Sequence, residues 1–183
     1  RLILTSHAAA ALPPAADEDS DRLIAAMLSA GLDRRALRWR GVATRGGDGW
    51  AMLALADRFS GALLGAGEVR AYRGGTRGDG EAKRRMFVAA LGGLGRLDPA
   101  SLATLAAEYE IDVTLDNRWT RALDRAAARG EPATVVLLSA VGMQTANWRG
   151  VSASALYRII AAMHRVGLDG EARMIAVEAL TRL

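Results

Sequence analysis

His7 and His164 are the only imidazoles in a chain of 183 residues that contains no cysteine. That restricts the available chemistry, because acid-base work near neutral pH and soft-metal ligation draw mainly on His and Cys. No local cluster of His, Asp and Glu has metal-ligand spacing, so neither a metal nor a cofactor is expected. His164 follows a helical pattern beside Arg165 and reads as a partly exposed surface position. Glu108 with Glu110, or Asp112 with Asp116, could divide general acid and base roles, but pairs so close in sequence mostly mark a solvated helix end. Ser152 lies in Gly150-Val151-Ser152-Ala153-Ser154, which lacks the second glycine of a nucleophile elbow, and it reads as a helix cap. No residue is therefore expected to be catalytic.

Binding groups are easier to find than reactive ones. Gln144, Asn147, Trp148 and Arg149 gather aromatic and hydrogen-bonding side chains on a connection between helices, and Tyr157 follows on the next helix. Such connections commonly carry recognition, so these five are the candidate contacts for a protein or peptide partner. A second set, Arg70, Arg73, Arg77, Lys83, Arg84 and Arg85, is the candidate surface for nucleic acid or another polyanion. Two arginine-glycine triplets, Arg45-Gly46-Gly47 and Arg73-Gly74-Gly75, accompany it without interleaved aromatics. Gly65-Ala66-Gly67 is not a dinucleotide fingerprint, since no strand precedes it and the third glycine is missing.

Composition sets the class of partner only loosely. The 24 basic residues face 20 acidic ones, and Lys83 is the only lysine. The excess is weak, and the high pI reflects Arg more than net charge. Apolar residues make up 51% of the chain but aromatics only 5%, which describes a core of Ala, Leu, Val, Ile and Met suited to closely packed helices. No apolar run reaches the roughly 18 to 20 residues of a membrane span. The Ala-Pro-rich stretch from His7 to Ala16 and the Arg at position 1 give residues 1–19 the look of a linker or processed leader, and this leans slightly toward a bacterial periplasm.

The elements that must position these groups are helices. Apolar spacing places one from Ser20 to Gly31, a second after Asp33 and a third after Asp48, each Asp being expected as an N-cap. A Gly- and Arg-rich connection fills about 57–80, with at most one turn of helix around Glu68 to Tyr72. Helices are expected again from Glu81, from Asp98-Pro99, from Asp116 to Gly130 and from Pro132, with Thr134 to Leu138 buried. Ser152 and Asp169 open the last two. The sum is roughly eight or nine helices with short joins, an all-α domain over residues 20–183 made of stacked antiparallel hairpins.

One segment occurs twice. Asp21 to Ala36 reads DRLIAAMLSAGLDRRA, and Tyr157 to Ala172 reads YRIIAAMHRVGLDGEA. Trp39-Arg40-Gly41-Val42 also recurs as Trp148-Arg149-Gly150-Val151, at a different offset. Small residues at close contacts (Ala25, Ala26, Ala161, Ala162) and a Gly-Leu-Asp turn between helices resemble helical-repeat solenoids of the tetratricopeptide kind, although the fixed 34-residue period of that family is absent. The resemblance implies an α-solenoid acting as a non-catalytic interaction or scaffold module. Arg-mediated polyanion binding is one alternative, and an accessory helical domain of a cell-envelope enzyme is another.

Overall fold

In a computed structural model, residues 2–16, 19–58, 62–75 and 78–183 are described. Among them the chain forms eleven α-helices and no strand beyond one isolated bridge between Leu64 and Leu97. In chain order these are α1 (Leu2–Ala11), α2 (Ser20–Ser29), α3 (Asp33–Ala36), α4 (Asp48–Ala56), α5 (Ala66–Arg70) and α6 (Gly80–Gly93). They are followed by α7 (Pro99–Glu108), α8 (Arg118–Ala128), α9 (Pro132–Gly142), α10 (Ala153–Arg165) and α11 (Asp169–Thr181). Both Trp-Arg-Gly triplets fall in 3₁₀ turns, at Leu37–Gly41 and Trp148–Gly150, and in each the Val after Gly donates to the Trp carbonyl at 3.1 Å. The shorter recurrence is thus a shared local turn.

The doubled segment makes the same turn in both places. Leu32 N–H donates to Met27 O at 2.9 Å and Gly31 N–H to Leu28 O at 3.0 Å; Leu168 and Gly167 repeat the pair onto Met163 and His164 at 2.9 and 3.1 Å. This is a Schellman ending, which needs a left-handed residue at the glycine, and Gly31 and Gly167 have φ of 71° and 80°. Leu32 and Leu168 then serve as the N-caps of α3 and α11, so Asp33 and Asp169 stand one position later than expected, inside the first turn. Asp48 is displaced in the same way by Gly47. A carboxylate there still complements the helix dipole, but it is released to bond elsewhere. Asp98 and Ser152 do cap, accepting from Ser101 N at 2.9 Å and from Ala155 N at 3.1 Å respectively. Hydrogen bonds from Ser101 hold the Asp98 carboxyl below the ordinary carboxylate range.

α10 lies at the centre, packed on α6, α8, α9 and α11. Gly93 permits a close approach of α6 to α10, because a Cβ there would stand 2.8 Å from Ile160 Cβ. Leu156, Ile159 and Ile160 of α10 and Phe87 of α6 are fully enclosed. α11 continues inward, touching α6, α4 and α2, so the last helix meets elements from the beginning of the chain. Hairpins α8–α9 and α10–α11 are present, but these long-range contacts fold the array back on itself, whereas an open stack buries each unit only against its neighbours.

The segment expected as a linker contributes to this core. α1 packs on α2 with Ser6 and Ala9 buried, because a run of alanines has the best intrinsic helix propensity and small side chains that allow close contact. In the connection at 57–80, α5 forms near the expected single turn, and Leu64 N–H donates to Arg96 O at 2.9 Å. No helix of the described residues is long and apolar enough to cross a membrane.

Candidate functional site

Hairpin α8–α9 carries the largest apolar exposure among the described residues. α9 has Pro132 at its first position and an almost wholly apolar sequence, PATVVLLSAVG, yet only Val135 and Ser139 are buried. Val136, Leu137 and Val141 remain 44%, 65% and 50% exposed. Helical spacing puts Ala133, Leu137, Ala140 and Val141 on one stripe with Val136 at its edge, all open to solvent. Thr134 to Leu138 is therefore helical as expected, but of this segment only Val135 is buried where burial throughout was expected. A helix that is apolar all round satisfies its inner neighbour with one stripe and leaves the other uncovered.

Trp119 fixes where this face ends. Its indole N–H donates to Leu138 O at 2.8 Å, and its ring lies where a Cβ on Gly142 would fall, 2.4 Å from the ring carbon Cζ2. The chain then turns through Met143 to Val151. Thr145 Oγ1 donates to Asn147 O at 2.9 Å, and Asn147 Oδ1 accepts from Arg149 N at 3.1 Å, so the loop is held by its own polar groups. Met143, Asn147, Trp148 and Val151 line a groove of about 590 Å³, closed on the far side by Glu178 and Arg182 of α11. Two of the expected partner contacts, Asn147 and Trp148, thus share one groove. Gln144 and Arg149 are exposed on the same loop without lining it. Tyr157 belongs elsewhere: it is half-buried on α10, with its ring edge 3.3 Å from where a Cβ on Gly92 would stand. Its position on the helix turns it toward α6.

The expected polyanion surface is only partly assembled. Arg70, Arg73, Arg84 and Arg85 line a groove of about 630 Å³, but Glu81, Glu108 and Glu110 line it too. Arg70 bonds Glu108 at 2.8 Å, and that hydrogen bond holds its guanidinium above the ordinary value. Arg85 lies 3.7 Å from Glu110. Arg77 falls outside the described residues. Lys83 points inward: it is 5% exposed and its Nζ donates to Asp48 Oδ2 at 2.8 Å. A buried, paired ammonium cannot offer a phosphate its charge.

Asp48 Oδ1 also accepts from the Tyr72 hydroxyl at 2.7 Å. Burial first, then this hydrogen bond, pushes the Tyr72 phenol well above its ordinary value. The folded chain therefore keeps the proton that the unfolded chain releases near about pH 10. The stabilisation is complete below that pH and is lost above it at about 1.4 kcal/mol per pH unit. Alkaline unfolding by urea is expected to be less steep with pH in Tyr72→Phe, and an identical slope in both proteins would refute this assignment.

Sequence reasoning missed the outward α9 stripe, although its signal was present as an apolar run bounded by Pro132 and Gly142. His164 is the partly exposed helix position that was expected, but its partner was missed: Nδ1 of His164 lies 2.5 Å from Asp169 Oδ1. The signal there was the repeat itself, in which Leu28 becomes His164 ahead of the recurring Asp. No protein-family model, curated protein or solved structure matches the chain.

Proposed function

We propose that this protein is a non-catalytic interaction module whose α9 face and adjoining loop hold an apolar, acid-flanked segment of a partner protein. The observation that carries the reading is the exposure of Val136, Leu137 and Val141 together on one helix. Single exposed apolar residues are ordinary, but a contiguous stripe ending in a groove is what recognition surfaces carry. Trp148 and Met143 extend the apolar surface into that groove, and an aromatic ring in a pocket is a favourable anchor for binding. Charge supports the choice of partner. α8, packed beside α9, leaves Arg118 and Arg125 exposed, and Arg149 is exposed on the loop. Acidic residues flanking the partner's apolar stripe would complement them and steer its approach. Polyanion binding is less favoured, because Arg70, Arg85 and Lys83 are committed to Glu108, Glu110 and Asp48.

Leu137→Asp tests the reading without disturbing the core. Its side chain is open to water, so thermal unfolding is expected to show a stability change within about 0.5 kcal/mol. Affinity capture from the source organism is then expected to retain a partner on the parent chain and to lose it on Leu137→Asp and on Trp148→Ala. If both variants capture the same protein as well as the parent, the α9 face is not the site. If the parent instead dimerises and Leu137→Asp is monomeric, the occupant is a second copy, and the acid-flanked partner is excluded.

A further inference from the structure

The turn between α10 and α11 brings together residues that the first copy of the doubled segment lacks. His164 replaces Leu28, while Asp169 keeps the place of Asp33. With Nδ1 engaged on the Asp169 carboxylate, the other ring nitrogen, Nε2, is the one available to a ligand, and it stands 3.8 Å from where a Cβ on Gly95 would be. Gly95 lies in the turn after α6, and the next residue is Arg96. The groove bounded here has a volume of about 460 Å³ and is lined by His164 and Asp169, by Arg58, Arg96 and Arg173, and by Asp57. That volume is in the range of small-molecule sites.

Two of its cations, Arg96 and Arg173, each keep a buried guanidinium N–H that no acceptor meets among the described residues. The Asp57 carboxylate is taken by Arg40, and the Asp169 carboxylate by His164. Arg96 donates from Nη1 to the Asp57 carbonyl at 2.7 Å, but its Nε is buried with no partner among the described residues. The Nε of Arg173 is buried and unpartnered as well. Burial, together with the charges of Arg40 and Arg173, lowers the basicity of Arg96 against the opposing pull of Asp57. Two neighbouring guanidiniums with unpartnered buried N–H groups favour an acceptor between them, since a buried donor left unmade costs its desolvation. Guanidinium forks match the oxygens of a phosphate group, and several converging cations favour a dianion over a carboxylate.

We propose that this groove binds the phosphate group of a small molecule, with Arg96 and Arg173 donating to its oxygens and His164 Nε2 closing the site from α10. The site is separate from the α9 face and stands or falls independently of it. Arg96 also ties α6 to residue 57, so Arg96→Gln disturbs the fold as well as the site. The Nε of Arg173 has no hydrogen-bond partner among the described residues, which makes Arg173→Gln the cleaner variant. The experiment titrates the full chain with inorganic phosphate, with glycerol 2-phosphate and with acetate at low ionic strength, following backbone amide shifts. Saturable shifts at Gly95, Arg96 and residues 164–173 are expected with both phosphates and not with acetate. Arg173→Gln is expected to weaken them by about tenfold or more while its unfolding temperature is unchanged. Tighter binding of the ester assigns an organic phosphate as the ligand, and equal binding assigns free phosphate; either upholds the site. No saturation by tens of millimolar, saturation that Arg173→Gln leaves intact, or shifts confined to Arg70–Arg85 would overturn the proposal.

Discussion

Asp48→Ala is expected to lower the free energy of unfolding by about 3–5 kcal/mol, toward the lower end of that range because the Asp48 side chain is 20% exposed. The carboxylate is the counter-ion of Lys83, whose side chain is 6% exposed, and the acceptor for the Tyr72 hydroxyl. Removing it leaves an ammonium inside the protein without a partner and strands a phenol. Gly75 packs so closely on the carboxylate that a Cβ there would stand 2.2 Å from its oxygen, so the loop before α6 is held by the same group. Urea unfolding measures the loss. The double variant Asp48→Leu/Lys83→Met is expected to recover most of it, since removing both partners of a buried pair is close to neutral. A single-variant cost under about 1 kcal/mol would mean that water already screens the pair.

Phe87→Ala is expected to cost a further 3–5 kcal/mol or so, the usual range for deleting an enclosed aromatic ring. Phe87 is 0% exposed. Its ring meets Trp50 edge-on at 5.8 Å and Tyr72 at 4.9 Å, so one side chain of α6 holds α4 and the segment after α5 together. Each edge-to-face pair adds about 0.5–1.5 kcal/mol beyond buried area. Because Tyr72 touches both Phe87 and Asp48, the two substitutions should not be additive. A double variant whose loss equals the sum of the single losses would show that Tyr72 does not couple them.

The helical hairpins were legible because their signals are local. Asp98-Pro99, Ser152 and the Gly31 and Gly167 turns act within a few residues, and each performs as its spacing implies. Asp33, Asp48 and Asp169 were misplaced by one position, since a Leu or Gly ahead of each took the cap and freed the carboxylate. Residues 1–19 looked like a linker from their Ala and Pro content, but nothing in composition reveals that α2 offers α1 a surface to dock on. The candidate contacts divided in the same way. Asn147 and Trp148 were found because they share one short loop, whereas the groove they line is completed by Glu178 and Arg182 from another helix.

By itself the amino-acid sequence determined an all-helical chain, the ends of most of its helices and the repeated turn that joins α2 to α3 and α10 to α11. Those depend on propensity, capping and hydrogen bonds that span a turn or less. Only the tertiary structure decided that α9 faces outward, that Lys83 is spent on Asp48 and that the local His164–Asp169 pair sits beside Arg96 and Arg173. Which face of a helix is covered, and which charge finds a partner, is settled by elements far apart in the chain, and no local spacing encodes their meeting.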